Sequence, residues 1–165
     1  MWDFGAARKP TITAEYLGQR LADEIWKDVH KPRDPIPSTY IVWEWLITRS
    51  FVATRVVQAL LDKGVAARAL DAMRARICHP THFTSRHALN AFQAVADLRQ
   101  REYSNAFDTW RTQKDEEPLT RALANHVLSE KAEKEVLELF IRFVACQRTL
   151  NEMLRHYVSF RCNVR

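Results

Sequence analysis

Glycine is nearly missing from this chain: only Gly5, Gly18 and Gly64 occur in 165 residues. Tight hairpins, bulges and phosphate-cradling loops draw on glycine for backbone angles that other residues resist, whereas helices do not need it. The scarcity removes whole classes of function. There is no G-x-x-x-x-G-K-[ST], no G-x-G-x-x-G and no G-x-S-x-G, so P-loop, dinucleotide-binding and serine-hydrolase signatures are all missing. No cofactor is expected. Cysteine is scarce as well. Cys78, Cys146 and Cys162 lie far apart, odd in number and without a C-x-x-C pair, which argues against a disulfide framework. The opening MWDFGAARKP has an early acid and no apolar run, unlike a signal peptide. A reducing cytoplasm is the expected compartment.

No apolar run is long enough for a bilayer either. The most hydrophobic stretch, residues 40–61, is broken by Glu44, Arg49 and Arg55, so no membrane partner is expected. What the chain does have is a 47% hydrophobic composition with abundant Ala, Leu, Arg and Glu. At this length it makes one domain, 1–165, with a real core. The periodicities are helical. Leu17, Leu21, Ile25 and Val29 recur at fours, predicting a first helix from Thr11 or Thr13 to about His30. Gly18 within it points to a close crossing with another helix. Pro32, Pro35 and Pro37 end that helix.

Residues 40–61, between a capping Ser38 and a terminating Gly64, form the predicted central helix. A shorter helix over 65–78 is ended by Pro80, and one capped by Thr84 runs to about Arg111 with Leu89, Phe92, Val95/Ala96, Tyr103, Phe107 and Trp110 on its apolar face. A short helix over 118–128 and a long one over 130–162, or a single helix running unbroken through Ser129, complete the chain. The long one carries Leu139, Phe143, Cys146, Leu150, Met153, Tyr157 and Phe160 in four-three alternation, a seam suited to a partner helix. Residues 1–10 read as an extended tail anchored by Trp2 and Phe4. The expectation is an all-α, single-domain bundle of five or six helices, mostly antiparallel.

Arg49 stands out in the central helix. Val42, Trp45, Leu46, Val52, Ala53 and Val56 surround it at helical spacing, so its guanidinium should enter the core and meet a carboxylate or a bound anion. Glu102 is the first candidate partner and Glu15 the second. An internal ion pair that sets helix register is the plainer reading, a ligand site the sharper one. Glu44 falls instead on a polar edge with Thr48, Arg55, Gln58 and Asp62.

Three further constellations carry chemistry. Cys78, His79 and His82, with His87 nearby, contain the thiol and imidazoles that bind zinc or iron, although closed metal sites use more regularly spaced pairs. The bland alternative is a polar helix end. Arg68, Arg74 and Arg76 on the short helix, with the net charge of +5, are compatible with RNA or DNA binding; a solvated helix face is the competing reading. Finally, R-x4-H occurs twice, as Arg74 with His79 and Arg121 with His126. In this motif, size and helical class the chain resembles small ribonucleases of the HEPN type. That resemblance implies a catalytic Arg and His near a dimer interface, while an Arg-rich chain with six His residues also produces such pairs by chance. The reading that best fits the whole is a non-enzymatic helical interaction or regulatory protein, meeting a protein partner or a second copy of itself through its C-terminal helix. A nucleic-acid-acting protein comes next, and a metal-dependent enzyme at the 78–82 turn third.

Overall fold

Helical periodicity is realised almost throughout. The computed structural model describes residues 11–29, 39–113, 121–122, 126, 145, 148–149, 152, 155 and 163–165. Within these the fold is all-α, with α1 Ala14–Val29, α2 Thr39–Leu60, α3 Lys63–Ile77 and α4 Arg86–Gln113. A short 3-10 turn, Pro80–His82, lies between α3 and α4. These are four helices among the described residues, where five or six were expected. The tail 1–10, the capping Ser38 and most of residues 114–162 lie outside the described residues, and with them most of the C-terminal seam. Ala145, Arg148, Thr149, Glu152 and Arg155 are helical. Two residues at each end, Thr11–Ile12 and Asn163–Val164, pair as parallel strands. No described helix is long and apolar enough to cross a membrane.

The helix ends follow local chemistry. Thr13 caps α1, its Oγ1 accepting from the Tyr16 N–H at 3.1 Å. Ser85, rather than the expected Thr84, caps α4 through the Ala88 N–H at 3.1 Å. Gly64 does not terminate α2; it lies in the first turn of α3, which begins directly after Asp62. The break is made by only two residues, Leu61 and Asp62.

Ordered pairs of contacts fix the helix directions. Glu15–Arg68, Asp23–Arg76 and Trp26–His82 rise together along α1 and α3, so these helices are parallel. Trp43–Phe92 and Phe51–Phe107 make α2 and α4 parallel in the same way. Arg74–Asp97, near the ends joined by the 3-10 turn, runs α3 against α4. Consecutive helices therefore alternate in direction, as in an up-down bundle.

α1 and α3 make the most intimate packing in the fold. Gly18 is the reason. A Cβ there would fall on the Ala69 carbonyl oxygen and lie 2.9 Å from both the Ala72 Cβ and the Met73 nitrogen. Leu17, Leu21 and Ile25 of α1 are fully buried, and Ala66, Ala69 and Met73 of α3 are buried in the same core. Between α2 and α4 the contact is aromatic. Phe51 meets Tyr103 edge-on at 5.5 Å, and the Arg55 guanidinium lies 4.9 Å from the Phe107 ring centre, a cation–π contact.

Because the atoms facing Gly18 are backbone and a short side chain, they cannot swing aside. Gly18→Ala should destabilise the fold by about 3 kcal/mol, the upper part of the usual overpacking range, as read from urea unfolding. Gly64→Ala, with nothing within 4 Å of its added Cβ, should be neutral or slightly stabilising as a helix-interior replacement.

Candidate functional site

The deepest charge in the described structure is Glu44, not Arg49. Glu44 is completely buried and Thr48, one turn further along, nearly so, so this part of the polar edge of α2 faces inward onto α4, while Gln58 and Asp62 farther along it are exposed. Arg49 is half-buried. A helix that is apolar nearly all round gives no clear inward side, and burial then follows whichever polar edge can be matched. The match comes from α4. Arg99 Nε donates to Glu44 Oε1 at 3.2 Å and the Tyr103 hydroxyl to Oε2 at 3.5 Å. Arg99 is itself only 13% exposed.

Glu102 continues the chain of charges. Its Oε2 lies 3.6 Å from Arg99 Nη1, and His126 Nε2 donates to it at 2.7 Å. Glu102 is thus engaged by Arg99 and His126. The second expected partner, Glu15, sits on the exposed first turn of α1 opposite Arg68 at 3.4 Å. Hydrogen bonding to the backbone N–H at that helix start, with help from Thr13 and Arg68, holds its carboxyl below the usual range. Burial, and then the nearby Glu44 charge, raise the Tyr103 phenol well above its ordinary range, so Tyr103 serves as a neutral donor.

Sequence reasoning missed Glu44, Arg99 and Tyr103 as a set. A signal was there: Arg99, Glu102 and Tyr103 lie at three- and four-residue spacing beside the apolar stripe of α4.

The metal candidates do not converge. His79 accepts from the Thr81 N–H at 3.4 Å and lies 2.7 Å from its hydroxyl, capping the 3-10 turn. His82 donates from Nδ1 to the Ile77 carbonyl at 3.3 Å and packs edge-on against Trp26. His87 is exposed on the first turn of α4, and Cys78 is half-buried behind it in sequence. Among the described residues no three His, Cys, Asp or Glu side chains are grouped as metal ligands. The two R-x4-H pairs also stay apart within one chain. His79 precedes α4, whereas His126 docks on Glu102, roughly 24 Å down that helix at 1.5 Å per residue.

The arginines of α3 do not form an unopposed positive face. Arg68 meets Glu15, Arg74 meets Asp97 at 2.6 Å, and Arg76 meets Asp23 at 3.1 Å. Arg99 of α4 is turned inward onto Glu44.

A cleft of about 230 Å³ opens between α3 and α4, with α2 as its floor. Ile47, Met73, Ile77 and Phe92 line its base, while Asp71, Arg74, Asp97, Gln93 and Gln100 supply its polar groups. The α2 hydroxyls at its edge are spent on their own helix, Ser50 donating to the Leu46 carbonyl and Thr54 to that of Ser50. Cys78 completes the wall. Burial raises its thiol, against a smaller opposing effect of the Gln93 hydrogen bond. These are groups that recognise and hold; none forms an activated nucleophile with a base.

In comparisons with known proteins, the chain matches no family model, no curated protein and no solved structure.

Removing either member of the Glu44–Arg99 pair alone leaves a charge stranded in the core. Arg99→Ala should cost about 3–5 kcal/mol, and replacing both by apolar residues of similar volume should restore most of the loss; a double-mutant cycle in urea measures this. For Cys78, a raised thiol means little thiolate at neutral pH. Its alkylation by iodoacetamide should be slower than that of an unfolded cysteine peptide and still be rising steeply above pH ~8.5, the ordinary thiol value. Peptide mass spectrometry at a series of pH values reads this directly.

Proposed function

We propose that this chain is a non-enzymatic helical interaction or regulatory protein of the cytoplasm. It meets a protein partner, or a second copy of itself, through the apolar seam of its C-terminal helix. On this reading residues 118–162 supply the remaining one or two helices of a five- or six-helix bundle. The supporting observation is the closure of the interior charges on one another. Glu44, Arg99, Glu102 and His126 pair with one another in a chain across the bundle. Such networks specify register rather than chemistry.

The nucleic-acid alternative draws less support. Neutralisation of Arg68, Arg74 and Arg76 by carboxylates weakens the phosphate-binding face it requires. In the ribonuclease version the Arg74/His79 pair needs Arg74 free for catalysis, whereas Asp97 holds it; in the Arg121/His126 pair, His126 is engaged by Glu102.

Native mass spectrometry with size-exclusion chromatography tests the proposal. The expected result is a dimer without co-purified RNA or DNA, converted to monomer by Leu150→Arg in the seam. A monomer at micromolar concentration would remove the self-association. Saturable binding of a single-stranded RNA at physiological salt, or its cleavage, would replace the proposal with the nucleic-acid reading.

A further inference from the structure

We propose that the cleft between α3 and α4 binds a small organic cation, an ammonium group carried on an apolar body. Reading the chain as a binding protein is the premise; the inference adds a ligand class to it.

Size comes first. A cleft of about 230 Å³, open to solvent on one side, suits a compact metabolite or the end of a larger one. Polarity comes next. The base is hydrocarbon and aromatic: Ile47, Met73, Ile77 and Phe92 are each at most 3% exposed. An apolar body of a few carbons or one ring is the complement.

Charge then fixes the head group. The cleft is lined by two carboxylates, Asp71 and Asp97, and one guanidinium, Arg74. Arg74 is committed to Asp97 at 2.6 Å, which leaves one negative charge in excess among the described lining residues. An anion entering here would face that excess, whereas a cation offsets it. The Arg74–Asp97 pair is about half-exposed, 59% and 52%, and water already screens it. An ammonium can therefore share the Asp97 carboxylate without prising the pair open. An ammonium also has three N–H donors to place. Asp97 and Asp71 take two. Gln93 and Gln100 stand one turn before and after Asp97 on α4 and line the same cleft, so an amide oxygen is at hand for the third. Cys78 in the wall needs no chemistry here; it reports occupancy.

The experiment titrates phenethylamine, phenethyl alcohol and phenylalanine against the intact chain. Calorimetry reads affinity, and peptide mass spectrometry reads iodoacetamide modification of Cys78. Phenethylamine should bind saturably and slow Cys78 alkylation. Phenethyl alcohol, the same shape without the charge, should bind about tenfold or more weakly, the value of a charge-assisted contact. Asp97→Asn should bring the amine down to the level of the alcohol and leave the alcohol unchanged; Asp71→Asn provides the same reading if that variant does not fold. Phenylalanine separates two sources of the same head group. Binding tighter than the amine marks an amino acid whose carboxylate reaches Arg74, and weaker binding marks a free amine. Equal affinity for amine and alcohol, no binding of the amine, or unaltered Cys78 alkylation at saturation would each overturn the proposal. None of those results touches the oligomer mass, so failure here leaves the interaction-protein reading standing on its own test.

Discussion

A carboxylate removed entirely from water has to be met by a cation and by donors for its remaining lone pairs, or the helix that carries it cannot stay where it is. Glu44 imposes that condition on α2. Arg99 and Tyr103, one turn apart on α4, fulfil it together, so α2 and α4 can neither slide by a turn nor rotate without stranding a charge. Glu102 then passes the constraint to His126, tying that residue to the same face of α4. Apolar packing alone would leave α2 with several near-equivalent faces, because apolar residues make up most of it and are spread around it. The buried ion pair selects one. Its contribution is to uniqueness more than to stability, since well-packed hydrophobic replacements commonly do as well energetically.

The division between what was legible and what was not follows from this. α1 has a clean apolar stripe, and its limits, Ala14–Val29, lie within a residue or so of those read from spacing and capping. Gly18 was legible too, because a glycine inside a strong helix has few reasons to exist other than a close neighbour. α2 was legible as an element but not in its orientation. A helical wheel ranks faces by polarity, and when most faces are apolar the ranking carries little information. Arg49 drew attention because its neighbours are apolar, yet Glu44 has apolar neighbours as well, and the decisive fact was which residues α4 could offer. Long-range pairs such as Glu44 with Arg99, or Arg74 with Asp97, are set by helix crossing geometry, which no local pattern encodes. The histidines around Pro80 misled for a related reason. Side chains at a helix end have backbone groups close by, and His79 and His82 bind those in preference to one another.

Charge distribution gives the surface its character. The chain carries a net +5, yet the arginines of α3 are matched one by one with carboxylates from α1 and α4. Exposed pairs of this kind are worth little individually, about 0–1 kcal/mol each. What they change is the local field: a stripe that reads as cationic in sequence becomes nearly neutral in the fold, and the phosphate-binding potential inferred from composition is dispersed.

The cleft and the tight α1–α3 crossing have one cause. Gly18 lets α1 draw α3 in until the Ala69 carbonyl and Ala72 fill the space where a side chain would be. A helix pulled toward one neighbour stands off from the opposite one. α3 and α4 accordingly make little backbone contact, and the gap above α2 is spanned at its rim by Arg74 and Asp97. Residues on the α1 side of α3 are small, Ala66 and Ala69, while those on the α4 side, Leu70, Arg74 and Cys78, are longer and reach into the gap without closing it. Had α3 been centred between α1 and α4, those side chains would have packed against Phe92 and Ala96 as an ordinary core layer. The close approach to α1 and the cleft toward α4 thus lie on different sides of one helix.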